Sequence, residues 1–194
     1  MKQPLVTKKY LKLLVESSTQ KILEVLYTYP EKEFSLSDLA KEANVAKPHV
    51  GRMLEQLSAI EFVEITKLSK IWRIKANQQN WNFVKSKIIH NLNFIYQSGL
   101  VEFLNQEFKN PRAIVLFGSF RKGEDISTSD IDIAIELDNI KEYQVVNHSG
   151  LEQFEKTINR KIQIHLFDRK TVDINVFNNI ANGILLWGFL EVKP

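Results

Sequence analysis

Two aspartates, Asp130 and Asp132, are the residues of this sequence best suited to chemistry. They lie at the start of the apolar run IDIAIEL, which is typical of a strand, so both carboxylates point to one face, roughly 7 Å apart along it. Paired carboxylates in an apolar strand are unfavourable unless a cation or hydrogen-bond donors compensate them. A magnesium ion is commonly held by one or two carboxylates, with water and substrate phosphates completing its shell. The pair therefore predicts a magnesium site.

A glycine-serine pair, Gly118 and Ser119, follows directly after the run AIVLF, which predicts a buried strand. Backbone amides and a hydroxyl at the open end of a strand can hold an anion. Ten residues separate Ser119 from Asp130. Arg121 and Lys122 lie close enough along the chain to neutralise further phosphate charge. Glycine-serine turns and polar sheet edges are each common, but their combination predicts a site for a metal-bound phosphate.

The second half of the chain supplies the elements that must position these side chains. Strands are predicted at 113–117, 131–137, 161–167 and 184–187, and helices at 149–159 and in the stretch that ends near residue 182. Two further helices are predicted within 80–110, divided at Ser98 and Gly99. This order predicts an α+β domain with a small mixed sheet and flanking helices.

The first half predicts three helices and a β-hairpin. Ser18 and Ser35 are the expected N-caps of the first two helices, and the third helix is expected from about Lys47 to Ile60. The segment VEITKLSKIWRIKA reads as two strands around a polar turn. The predicted domains are 1–78 for this unit, 79–110 for a helical connector and 111–194 for the α+β domain.

Residues 15–78 resemble a winged helix-turn-helix of the transcription-regulator type, through ILEVLYTYP, SLSDLAKEANVAKPHVGRMLEQLSAIEFVE and IWRIKAN. In that module the second helix of the turn pair enters the major groove and the wing touches the DNA backbone. The resemblance implies nucleic acid as a partner, although winged helices also dimerise and bind proteins. The implied DNA-binding residues are Lys47, His49, Arg52, Lys67, Lys70 and Arg73.

Residues 98–194 resemble the minimal nucleotidyltransferases of the DNA polymerase beta superfamily, whose signature of Gly-Ser, about ten residues and Asp-x-Asp stands here as GSF, RKG and SDIDIAI. The resemblance implies transfer of a nucleoside monophosphate, often from ATP, to a hydroxyl group. It implies that Gly118 and Ser119 bind the triphosphate and that Asp130 and Asp132 hold Mg²⁺.

The sequence departs from that family at one position. Family members usually carry a third carboxylate on the next strand, where this chain reads RKIQIHLFD and has Gln163. A glutamine cannot act as a base. His165 lies on the same face, about 7 Å further along the strand, and is either a substitute base or a structural or nucleotide-contacting residue. Asp168 is expected to face the other way, and Glu136 to lie near the far end of its strand.

Composition limits the remaining possibilities. The chain has no cysteine, which excludes a thiolate metal site and a cysteine nucleophile, and no apolar run long enough to span a membrane. We therefore expect a cytoplasmic protein. Residues 1–79 carry 13 Lys and Arg against 9 Asp and Glu, whereas residues 80–194 carry 13 against 14. The basic excess of the first half permits nucleic-acid binding there. The apolar connector helices make a homodimer reasonable.

Three functions remain open. The first is a magnesium-dependent nucleotidyltransferase directed by its winged helix to nucleic acid or to a partner. The second is a DNA-binding regulator in which the transferase-like half senses a nucleotide without turning it over, as Gln163 suggests. The third is an antitoxin-type enzyme that modifies a partner toxin, as some minimal nucleotidyltransferases do.

Overall fold

The structure is a computed structural model that describes residues 17–68 and 71–192. Contacts divide the chain into two compact units, one ending at His90 and the other beginning at Asn91. The expectation of a separate connector over 79–110 stays a prediction. Within the described ranges, no helix is both long enough and apolar enough to span a bilayer.

The first unit contains three helices followed by two strands. They are α1 (Ser18–Thr28), α2 (Leu36–Glu42), α3 (Lys47–Ala59), β1 (Val63–Leu68) and β2 (Ile71–Ala76). Ser35 caps α2 as expected, because its hydroxyl accepts a hydrogen bond from the backbone amide of Asp38. The predicted cap of α1 is wrong by one residue: the hydroxyl of Ser17, not of Ser18, accepts from the amide of Gln20. Two adjacent serines offer the same chemistry, so the sequence did not distinguish them.

The hairpin β1–β2 is antiparallel and pairs Val63 with Ala76 and Leu68 with Ile71. Phe34, which precedes α2, forms an isolated antiparallel bridge with Ile74 of β2 through two backbone hydrogen bonds. The apolar side chains buried beneath these elements include Ile22, Leu26, Leu39, Val50, Leu54 and Ile74. Three helices closed by a small antiparallel sheet form a winged helix, which confirms this part of the predicted fold class.

A long helix, α4 (Trp81–Gln97), follows the hairpin, and the boundary between the two units lies within it. Helix α5 (Leu100–Glu107) begins after Gly99, whose φ of +79° allows the chain to turn between the helices. The predicted division at Ser98 and Gly99 is therefore confirmed.

The second unit contains a five-stranded mixed sheet. Its elements in chain order are β3 (Ala113–Phe117), α6 (Gly118–Lys122), β4 (Ile131–Glu136), β5 (Gln144–Val146), a 3-10 turn (Ser149–Leu151), α7 (Glu152–Ile158), β6 (Ile162–Phe167), α8 (Ile174–Ala181) and β7 (Ile184–Gly188). The strand order is β5-β6-β4-β3-β7. Strands β4 and β6 are parallel, and the other pairs are antiparallel. The expected α+β fold is confirmed, although α6 and β5 were not predicted.

The two faces of this sheet differ in chemistry. On one face, Ile131, Ile133 and Ile135 of β4 pack into an apolar cluster that includes Leu104 of α5 and Phe154 of α7. The opposite face, which we call the α8 face, has a smaller cluster of Ala113, Val115, Ala134, Phe167 and Ile180, with Val176 and Phe177 of α8 against it. Asp132 belongs to the α8 face by strand alternation. Strand β3 runs antiparallel to β4, and β4 runs parallel to β6. The carboxyl end of β3 therefore lies beside the amino ends of β4 and β6.

Candidate active site

The turn between β3 and α6 brings the backbone against a carboxylate. Phe117, the last residue of β3, is the Cα partner of Asp132 in β4. Gly118 follows with a φ of +74°, in the left-handed region that favours glycine. A Cβ atom at Gly118 would lie 2.1 Å from Oδ2 of Asp132. Only a residue without a side chain therefore fits between the turn and the carboxylate.

The two aspartates lie beside Gln163 of the neighbouring strand. Gln163 of β6 is the Cα partner of Asp132. Its side-chain amide donates a hydrogen bond to Oδ2 of Asp130. The structure thus places Asp130, Asp132 and Gln163 together on one face, with Gln163 acting as a hydrogen-bond donor to Asp130.

His165 contacts the second aspartate. Its Nε2 lies 3.2 Å from Oδ1 of Asp132, and its Nδ1 is hydrogen-bonded to the hydroxyl of Tyr143. The Phe117 ring packs against the imidazole, with ring centroids 4.8 Å apart. His165 is buried, with 7% of its surface exposed. The predicted shared face with Gln163 is thus observed.

Tyr143 was not identified from the sequence. It precedes β5, the short edge strand in which Val145 pairs with His165 of β6. The segment around Tyr143 carries no motif, and the three residues of β5 are too few for a clear alternation of apolar and polar residues. Only pairing of this edge strand with β6 brings the tyrosine to His165.

A cavity of about 520 Å³ adjoins the glycine turn. Its lining combines apolar, cationic and amide groups from Phe117, Gly118, Arg121, Lys122, Asn179 and Asn182. Three predicted phosphate-site residues therefore share one cavity, and Ser119 lies in the first turn of the same short helix. Asn179 and Asn182 come from α8 and were missed, because they lie some sixty residues from the motif. This volume is within the range of small-molecule sites.

Buried hydrogen bonds hold the helix of the glycine turn in place. The side-chain amide of Asn91 donates to the backbone carbonyl of Phe120 at 2.8 Å and to Oδ1 of Asp125 at 2.9 Å. The other oxygen of Asp125 lies 3.8 Å from a guanidinium nitrogen of Arg160. Asn91 and Asp125 are both almost fully buried. Since a buried polar group is costly when unpaired, this network fixes α6 relative to the part of α4 that begins at Asn91.

The charges and geometry fit one divalent cation bound together with a phosphate ligand. Two carboxylates lie side by side, and each uses one oxygen to accept a hydrogen bond from a β6 side chain. Among the described residues there is no group of three or more histidine, cysteine or acidic side chains that could hold a metal ion. A complete shell of protein ligands is therefore not formed by these residues, whereas Mg²⁺ with one or two carboxylates and substrate phosphates needs none.

Two other acidic residues near the motif strands, Glu136 and Asp168, have structural partners. Glu136, at the far end of β4, is buried, and its Oε1 lies 3.3 Å from Nε of Arg169. Burial raises the pKa of this carboxyl group. Asp168 accepts hydrogen bonds from the backbone amides of Lys170 and Asn139, the first of which does most to lower its pKa. Both carboxylates are thus committed to contacts away from the glycine turn.

The predicted DNA-binding residues are mostly exposed. Lys47, His49 and Arg52 lie on the solvent side of α3, opposite its buried Val50 and Leu54.

In the wing, the ammonium of Lys67 lies 4.1 Å from the ring centroid of Trp72. Arg73 forms an ion pair with Glu33, with 2.5 Å between Nε and the carboxylate oxygen. Lys70 lies outside the described residues. The ion pair makes Arg73 a weaker candidate for phosphate contact than the α3 residues.

Comparisons with known proteins give one family-model match and several similar solved structures. Residues 99–188 match the family model described as Polymerase beta, Nucleotidyltransferase. Similar solved structures include the adhesin competence repressor AdcR of Streptococcus pyogenes, with 15% identity, a TM-score of 0.34, and coverage of 48% of this chain and 68% of that chain. MepR, a transcription regulator of the Staphylococcus aureus multidrug efflux pump MepA, has 17% identity, a TM-score of 0.37, and coverage of 53% and 78%. The search of curated proteins found no match.

Proposed function

Because residues 99–188 form a domain of the polymerase beta nucleotidyltransferase family, we propose that this protein binds ATP with one magnesium ion at the Gly118 turn. We propose further that its winged helix binds DNA, so that the chain is a nucleotide-binding DNA regulator with little or no transferase turnover. The observation that carries this proposal is the packing of the Gly118 backbone against the Asp132 carboxylate, beside a cavity that contains Arg121 and Lys122.

Each residue of the site has a distinct role in binding. Asp130 and Asp132 hold the cation, which neutralises phosphate charge. Gly118 lets the backbone approach the phosphates closely, and the adjacent Ser119 contributes a hydroxyl. Arg121 and Lys122 line the cavity that adjoins the Gly118 turn and add positive charge to it. A nucleoside triphosphate and a divalent metal are the ligands that a nucleotidyltransferase domain implies in general; ATP and Mg²⁺ are our specific proposals.

The same geometry disfavours rapid transfer. Nucleotidyl transfer to a hydroxyl requires a group that accepts the hydroxyl proton, and the amide of Gln163 cannot do so. Gln163 also donates to Asp130, which keeps that carboxylate oriented without adding negative charge. These features retain what is needed for binding and remove one group needed for chemistry.

A transferring enzyme is the second candidate, in which the imidazole of His165, 3.2 Å from Asp132, would be the base. This role requires that Nε2 of His165 carry no hydrogen. In that case the acceptor is a hydroxyl of a small molecule, nucleic acid or protein. The antitoxin alternative, the homodimer and the cytoplasmic location stay predictions.

Calorimetric titration with ATP in the presence and absence of Mg²⁺ tests the proposal directly. We expect Mg²⁺-dependent binding by the native chain and its loss in Asp130→Ala/Asp132→Ala. Asp138→Ala is a matched control, since this exposed carboxylate follows the far end of β4 and pairs with Arg112. Absence of binding by the native chain, or equal binding by the double variant, would overturn the proposed site.

The same samples, incubated with ATP labelled in the α-phosphate, distinguish the two candidates. A regulator leaves the label on ATP, with or without added DNA. Label transferred to the protein, to DNA or to a small molecule, and lost in the double variant, would establish the enzyme instead.

A further inference from the structure

We infer that Tyr143 and His165 act together as positioning residues that fix the orientation of the Asp132 carboxylate. This inference rests on the proposed function for its consequence, cation and nucleotide binding, but its structural core can be measured without either ligand. Neither residue needs to touch the nucleotide for this role.

The three side chains form a continuous hydrogen-bonded chain. The Tyr143 hydroxyl contacts Nδ1 of His165, and Nε2 of His165 contacts Oδ1 of Asp132. The imidazole is buried and packs against the Phe117 ring, so its plane is held from the side as well as from both nitrogens. Asp132 is only partly buried, with 25% of its side chain exposed. The hydrogen bond from His165 therefore connects a buried imidazole to the carboxylate that faces the proposed ligand.

Hydrogen-bonding capacity selects one arrangement of protons. A neutral imidazole has one N–H donor and one acceptor nitrogen, whereas an ionised carboxylate only accepts. Nε2 of His165 must therefore carry the hydrogen and donate it to Asp132. In the neutral imidazole, Nδ1 is then the acceptor, and the Tyr143 hydroxyl donates to it. This tautomer satisfies all three groups at once.

The tautomer determines what His165 can do. Its only lone pair points to Tyr143, away from Asp132, so the nitrogen nearest the proposed ligand cannot take up a proton. His165 can instead hold Oδ1 of Asp132. Oδ2 of Asp132 then lies on the side of the Gly118 turn, where a Cβ atom at Gly118 would be 2.1 Å away. Groups that orient a metal-binding residue in this way commonly change metal affinity by about 10–100-fold when removed.

Gln163 does for Asp130 what His165 does for Asp132. Both donors lie on β6, two residues apart, and each contacts one carboxylate. The difference is that the Gln163 amide always carries hydrogens, whereas His165 presents a donor at Nε2 only when its tautomer is fixed. Tyr143 supplies this fixation, which gives the edge strand β5 a role in the site.

The first test is nitrogen NMR of the ¹⁵N-histidine-labelled full chain, because ring nitrogen shifts distinguish the two neutral tautomers and the imidazolium. We expect the neutral imidazole of His165 to carry its hydrogen on Nε2 in the native chain, and this tautomer preference to be lost in Tyr143→Phe. Tyr96→Phe is the matched control, since Tyr96 is an exposed tyrosine of α4. A native His165 in the Nδ1–H or imidazolium form would overturn the inference, as would a Tyr143→Phe spectrum identical to the native one.

The second test measures Mg²⁺-dependent ATP affinity in a double-mutant cycle. We expect Tyr143→Phe to weaken binding about tenfold, while Tyr96→Phe binds like the native chain. His165→Gln keeps an amide donor for Asp132 that needs no tautomer, so Tyr143→Phe should have no further effect in that background. An equal loss in both backgrounds would contradict the role assigned to Tyr143. If the native chain binds no ATP, the proposed function fails while the NMR result still decides the tautomer.

Discussion

Replacing Gly118 with alanine tests whether the contact between the glycine turn and Asp132 is built as described. The change imposes two separate penalties. The backbone stays at a φ of +74°, which a side chain disfavours, and the new Cβ atom meets Oδ2 of Asp132 at 2.1 Å and its Cγ at 3.0 Å. Gly123, at the end of α6, has a similar φ of +71° and provides a control for the first penalty.

The magnitudes follow from these distances. A left-handed conformation costs a non-glycine residue roughly 1–2 kcal/mol. To reach ordinary contact, the Asp132 oxygen must move by more than 1 Å, which breaks its geometry with His165. A hydrogen bond to a charged group contributes about 1.5–3 kcal/mol. We expect Gly118→Ala to lower the free energy of unfolding by roughly 2.5–5 kcal/mol in all, against roughly 1–2 kcal/mol for Gly123→Ala.

Chemical denaturation of both variants, in the native and Asp132→Ala backgrounds, measures the two penalties separately. With the carboxylate removed, Gly118→Ala should cost no more than Gly123→Ala, which gives a coupling of roughly 1.5–3 kcal/mol between positions 118 and 132. Gly118→Ala should also abolish Mg²⁺-dependent ATP binding, as measured by calorimetry. Equal destabilisation by Gly118→Ala in both backgrounds would refute the contact.

Three further predictions concern other parts of the chain. Asn91→Ala removes two buried hydrogen bonds from α6 and should destabilise the protein by roughly 2–3 kcal/mol in chemical denaturation, with weaker ATP binding. Burial, and secondarily Lys87, lowers the pKa of His90 to about 4, so the stability from its neutral form is present above about pH 6.5 and is lost as the pH falls towards 4. His90→Phe should flatten that acid loss in pH-dependent denaturation. Arg52→Ala should weaken duplex DNA binding by roughly 1–3 kcal/mol in a fluorescence titration, and by more than Arg73→Ala, because Glu33 already pairs with Arg73.

Most elements were predictable because their sequence patterns are local. The apolar spacing of α3 and the continuous run of β3 indicate their type without knowledge of any partner. The short helix α6 was missed because its five residues, GSFRK, lack a complete apolar stripe and begin with a glycine. Strand β5 was missed because its pairing with β6, and not its own composition, makes it a strand.

The candidate site likewise contains residues that local sequence patterns predict and residues that only the assembled fold brings together. The motif residues Gly118, Asp130 and Asp132 were found from spacing, because alternation along a strand fixes which side chains share a face. Asn91, Tyr143 and Asn179 were not found, because each reaches the site from an element whose position depends on the assembled fold. Sequence reasoning therefore identified the groups proposed to meet the ligand and missed several of those around them.

The substitution at position 163 changes the charge of the site as well as its chemistry. Two carboxylates carry two negative charges, which a single divalent cation can balance, whereas a third would favour a second cation. In the structure, Gln163 donates to Asp130, His165 contacts Asp132 through Nε2, and neither side chain carries a negative charge. Under the proposed function, this site binds one metal-nucleotide complex, and its nearest β6 side chains offer no third anionic ligand. A site of this charge would then hold the nucleotide rather than consume it, as proposed for a nucleotide-binding DNA regulator.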